Sequence, residues 1–72
     1  MKKRRGPDPV AVGRRLREAR GVFRTQQEVA EATGIPRATL CSYEIGRALP
    51  KAPTMAVLAD YYETTVEKLF FA

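Results

Sequence analysis

The chain has 72 residues, 44% of them hydrophobic, with 13 Lys and Arg against 8 Asp and Glu for a net charge of +5, a size at which a single core only just outweighs chain entropy. It has no histidine, and Cys41 has no second cysteine. Intramolecular disulfides, a multi-ligand Cys/His metal site and any Ser–His or Cys–His nucleophile pair are thereby excluded, so neither an enzyme nor a cofactor protein is expected. The longest apolar run, Met55 to Ala59, is 5 residues, far short of the ~20 that cross a bilayer. No membrane partner is expected, and a reducing, cytoplasmic setting fits the lone thiol.

Charge is unevenly placed. Residues 1 to 51 hold 12 Lys and Arg against 5 Asp and Glu, whereas residues 52 to 72 hold 1 against 3, which suggests a polyanion partner for the front of the molecule and another task for the tail. Residues 1–7 join Lys2, Lys3, Arg4 and Arg5 to Gly6 and Pro7 and read as a basic, extended arm ahead of one domain, 8–72. No apolar stretch follows these charges, so a secretion signal is not expected.

Five short helices are predicted. Asp8 offers a carboxylate N-cap and Pro9 a first helical residue, with Val12, Leu16 and Ala19 on one face, so helix 1 spans about 9–20 and stops at Gly21. Thr25-Gln26-Gln27-Glu28 is a capping box opening helix 2, which Gly34 ends. Pro36 restarts a helix of about 36–45, closed by Gly46, with Leu40 and Tyr43 inward. A loop with Arg47, Leu49, Pro50 and Lys51 leads to helix 4, about 53–62, built on Met55, Leu58, Ala59 and Tyr62. Thr64 or Thr65 caps a last turn bearing Val66, Leu69 and Phe70. No segment alternates at period two for long enough to argue a strand, and the class is all-α.

Two short helices about a glycine turn suit a helix-turn-helix, whose second helix lies in a groove about 12 Å wide. With Leu40 and Tyr43 inward, Arg37, Ala38, Cys41, Ser42 and Ile45 fall on the outward stripe. Arg37 has the fork to donate twice to guanine, Ala38 is short enough to touch a thymine methyl, and Ser42 donates or accepts. Candidate phosphate contacts are Thr25, Arg47 and Lys51, with Arg4 and Arg5 from the arm and Arg14 and Arg17 as weaker candidates of the same kind. Tyr61, Tyr62, Phe70 and Phe71 are four of the six aromatics, too many for two short helices to bury, so Tyr61, Phe70 and Phe71 are candidates for a homodimer interface.

The segments Arg15-Leu16-Arg17-Glu18-Ala19-Arg20 and Thr25-Gln26-Gln27-Glu28-Val29-Ala30, then Gly34, Tyr43-Glu44, Gly46, Pro50, Leu58-Ala59 and Leu69-Phe70, follow one another in order. Together they resemble the Cro/repressor-type helix-turn-helix family of phage repressors and small bacterial regulators, over about residues 12 to 70. The resemblance implies a compact five-helix, lambda-repressor-like domain that binds double-stranded DNA as a transcriptional regulator and takes no small-molecule substrate. It also implies that Gln26, Arg37, Ala38, Cys41 and Ser42 face the groove and that Arg20 and Glu44 form a buried ion pair. The segment from Arg20 to Thr25 is one residue shorter than the family pattern, and Arg24 stands where an apolar residue is usual, so Phe23 is expected to fill that core position. Pro36 replaces a frequent Ser or Thr cap, and Ile45 a frequent Asn. A protein-interaction module or antitoxin-type adaptor using the same helices is the alternative reading.

Overall fold

The computed structural model describes residues 6–72 and contains, in chain order, α1 (Pro9–Arg20), α2 (Gln26–Thr33), α3 (Arg37–Glu44), α4 (Ala52–Tyr61) and α5 (Val66–Phe70). No strand occurs among the described residues. Thr25 accepts from the Glu28 amide at 3.0 Å while its own amide donates to the Glu28 carboxylate at 2.9 Å, completing the capping box of α2. Gly34 ends that helix at φ 81°, a left-handed conformation that side chains resist.

The other caps differ from expectation in instructive ways. Asp8 is the N-cap of α1, but its carboxylate makes no capping bond; its carbonyl accepts from Val12 instead. The fixed φ of Pro9 at the first helical position starts the turn without that bond. At α3 the Pro36 carbonyl accepts from Thr39 and Leu40 with no side-chain cap, and the helix begins at Arg37, one residue later than predicted. Helix α4 begins at Ala52 and ends at Tyr61, one residue earlier than predicted at each end. Thr65, not Thr64, caps α5 by accepting from the Lys68 amide at 3.0 Å.

One core collects the inward face of every helix: Val12 and Leu16 from α1, Val29 from α2, Leu40 and Tyr43 from α3, Met55, Leu58 and Ala59 from α4, and Leu69 and Phe70 from α5. Helix α1 lies against α3 and α5, α2 against α3 and α4, and α4 against α5. Arg15 adds a polar tie, donating from Nε to the Leu69 carbonyl at 2.8 Å and so joining α1 to the end of α5.

Two aromatic expectations fail. Phe70 is fully buried at the centre of the core, which removes it from any interface between subunits. Phe23 is 94% exposed and fills no core position. The guanidinium of Arg24 lies 5.3 Å and 5.5 Å from the ring centroids of Tyr61 and Tyr62, so position 24 itself covers the aromatic surface, and the short connection turns Phe23 outward.

The contact between α1 and α3 is a backbone contact. A Cβ built on Gly13 would lie 2.5 Å from the Glu44 carbonyl oxygen and 2.7 Å from that of Tyr43, distances at which backbone must shift. Gly13 is thus an interior helical glycine, worth about 1 kcal/mol less than alanine in propensity, held there by the close approach of α1 to the end of α3. Gly13→Ala is expected to destabilise the fold by about 1–3 kcal/mol, read as a lower urea midpoint. Gly6→Ala, where no atom lies within 4 Å of the added methyl, is expected to leave the midpoint unchanged.

Candidate nucleic-acid interface

Glu44 ends α3 with its side chain only 4% exposed, and a carboxylate there must be compensated. Arg20, from the end of α1, donates to it through Nε at 2.8 Å and Nη2 at 2.8 Å, a bidentate pair. Gln26, the first residue of α2, donates from Nε2 at 3.0 Å. Arg20 Nη1 is also used, donating to the Arg24 carbonyl at 3.0 Å. One carboxylate therefore ties the end of α1, the head of α2 and the end of α3, and no buried side-chain nitrogen or oxygen among the described residues lacks a partner.

Burial alone would push the Glu44 carboxyl up. The hydrogen bonds from Arg20 and Gln26, with the charges of Arg20 and Arg17, outweigh it and hold the group below its ordinary 4.5. The same hydrogen bond to Glu44 holds Arg20 above its ordinary value against the opposing effect of burial. Burial, reinforced by the Glu44 charge, pushes the Tyr62 phenol up to about 12, so it stays neutral beside the pair at physiological pH.

With Leu40, Tyr43 and Glu44 buried beneath, the opposite face of α3 is left to solvent. Arg37 and Ala38 are exposed, Cys41 and Ser42 half-buried, and Ile45 exposed at the end. Thr25, Gln26 and Arg37 line one open groove of about 630 Å³ with Arg20, Arg24 and Gln27, so the head of α2 and the start of α3 share a cationic surface. The Thr25 hydroxyl already accepts its capping bond, and the Gln26 amide nitrogen is committed to Glu44. The sequence placed Gln26 among the base readers; here it also fastens α2 to α3, a role that spacing along the chain does not reveal.

Arg47 and Lys51 are exposed in the loop between α3 and α4. Arg4 and Arg5 lie outside the described residues. On the tail, Tyr61 is half-buried and packs edge-on against Tyr62 at 5.0 Å, while Phe71 is half-exposed. Among the described residues no cluster of His, Cys, Asp or Glu could hold a metal ion, and no helix is long and apolar enough to cross a membrane. Sequence reasoning passed over Gly13 and Arg15. The first carried a readable signal, a glycine inside a helical pattern; the second depends on a carbonyl 54 positions away.

The family model described as "Helix-turn-helix domain" matches residues 13–69. The chain belongs to the helix-turn-helix family. As such it is a DNA-binding transcriptional regulator, with α2 and α3 as the two helices and Gly34 between them. Among solved structures it is similar to the restriction-modification controller protein C.AhdI from Aeromonas hydrophila, with a TM-score of 0.80 and 28% sequence identity, over 88% of this chain and 97% of that one. No curated protein sequence matches.

The depressed Glu44 carboxyl makes acid stability a test of the helix-turn-helix framework. A group held below its ordinary 4.5 in the folded state contributes stability above that pH, and the contribution drains away as pH falls through the folded value. The urea midpoint of the native chain should therefore fall progressively below about pH 4.5. Glu44→Gln should cost roughly 3 kcal/mol at neutral pH, the low end for a broken buried pair because Arg20 keeps some solvent, and should flatten that acid limb.

Proposed function

We propose that this helix-turn-helix protein is a dimeric, sequence-specific repressor or controller, acting in the cytoplasm by occupying an inverted-repeat operator. The observation that carries the reading is the two-sidedness of α3: Leu40, Tyr43 and Glu44 are buried while Arg37 and Ala38 stand exposed. Helix α3 enters the major groove, Arg37 donates to guanine O6 and N7, Ala38 and Cys41 approach thymine methyls, and Ser42 bonds a base edge. Gln26 reaches the adjoining base from the head of α2. Thr25, Arg47 and Lys51 hold phosphates and set the register, and Arg4 and Arg5 of the basic arm, residues 1–7, follow the duplex beyond the domain, residues 8–72.

Tyr61 and Phe71 supply the dimer contact, which sets two copies of α3 about 34 Å apart, one turn of B-DNA. The similarity to C.AhdI, a restriction-modification controller by name, supports control of a small operon through the regulator's own concentration. No catalytic step is part of this role.

Binding titrations over a range of salt concentrations test the proposal. Log K should fall linearly with log salt, by about 0.9 per phosphate neutralised; a flat response would overturn it. Arg37→Ala should cost about 1–3 kcal/mol on the preferred duplex and erase preference at one base pair, whereas Lys51→Ala should weaken all duplexes alike and reduce the salt slope by about 1. Tyr61→Ala combined with Phe71→Ser should yield a folded monomer by sedimentation equilibrium, with operator binding weakened accordingly.

A further inference from the structure

On the α1 side of α3, adjoining the groove of Gln26 and Arg37 through Arg20 and Val22, which line both, a second open groove of about 830 Å³ is lined by Val10, Arg14, Arg17, Val22 and Ile45, with Glu18 as an acid on its edge. Its apolar members are held in solvent: Val22 is 90% exposed, and Val10 and Ile45 are each more than half exposed. Exposed Phe23 follows Val22 in the chain. Four of the six exposed large hydrophobic side chains among the described residues thus lie in or beside this groove rather than scattered singly. The rim is cationic. Arg14 and Arg17 are exposed neighbours on α1 and form no ion pair among the described residues, where Arg20 and Glu44 make the one salt bridge.

Three occupants differ in chemistry. Duplex DNA brings phosphates for the two arginines but only isolated thymine methyls for Val10, Val22 and Ile45, and would have to desolvate phosphates against them. A second copy packed two-fold on the same face would bring together two rims that each carry two exposed arginines and one glutamate, an excess of like charge. A protein segment with apolar side chains on one face and carboxylates beside them satisfies both floor and rim.

We propose that this groove is a docking site for an acidic amphipathic segment of a partner protein, its apolar residues on Val10, Val22 and Ile45 and its carboxylates on Arg14 and Arg17. Ile45 is continuous with the outward stripe of α3, so the partner is held at the edge of the DNA-reading surface without using Arg37, Ala38 or Ser42.

The test maps amide chemical shifts of the isotope-labelled full chain against three synthetic helical peptides. One has leucines on one face and glutamates on the other, the second has lysines for the glutamates, and the third has serines for the leucines. Shifts confined to the first peptide and centred on Val10, Arg14, Arg17, Val22 and Ile45 support the proposal. So does a loss of at least about tenfold in affinity, ~1.4 kcal/mol, on Val22→Ser and on Arg14→Glu, given unchanged thermal unfolding. It is overturned if the acidic peptide moves no resonance there or the control peptides bind equally. Duplex DNA shifting Val10, Arg14 and Arg17, or protein concentration alone shifting them, would assign the groove to DNA or to a second copy and overturn it as well.

Discussion

A single buried carboxylate organises this molecule. Glu44 accepts two hydrogen bonds from Arg20 and one from Gln26, and those donors come from the end of α1 and the head of α2 while Glu44 itself ends α3. Burying this charge gains little net stability, because desolvation opposes the attraction. What it gains is direction: three short helices, none long enough to be stable in water alone, meet at one defined point. The close approach at Gly13 presses α1 onto the same end of α3, so polar and steric constraints coincide. Helix α3 is then held from behind, with its far face left to solvent.

Much of this was legible in the chain. The capping box at Thr25, the glycine at 34 and the spacing of Leu40 and Tyr43 are local signals, and local signals place helices well because each cap and turn carries its own geometric requirement. The Arg20–Glu44 pair followed only from family resemblance, since nothing in either residue's neighbourhood announces a partner 24 positions away. Phe23 and Phe70 were misplaced for one physical reason. Aromatic content indicates how much apolar surface needs cover, but not which ring wins the core. Phe70 took it through the last turn of α5, and Arg24, by stacking over Tyr61 and Tyr62, removed the vacancy that Phe23 would have filled.

The domain divides its surface by chemistry. The face carrying Arg37, Ala38, Cys41 and Ser42 is small, polar and cationic, suited to base edges and phosphates. The groove beside it sets Val10, Val22 and Ile45 against Arg14 and Arg17, a mixture that suits carboxylates accompanied by hydrocarbon. The aromatic tail, with Tyr61 half-buried and Phe71 half-exposed, is a third surface, its tyrosines covered on one side by Arg24. Three kinds of surface therefore lie side by side on one small core, with Val22 lining both of the grooves.

The most direct test of the outward reading face is selection of bound sites from random duplex DNA, with the native chain and with Arg37→Ala in parallel. The expected result is an inverted repeat whose half-site centres lie about one helical turn apart, and, for the variant, the same repeat with one base position in each half-site no longer specified. Selection of no common sequence by the native chain, or of the same sequence in full by both proteins, would contradict the assignment of α3 as the element that reads DNA.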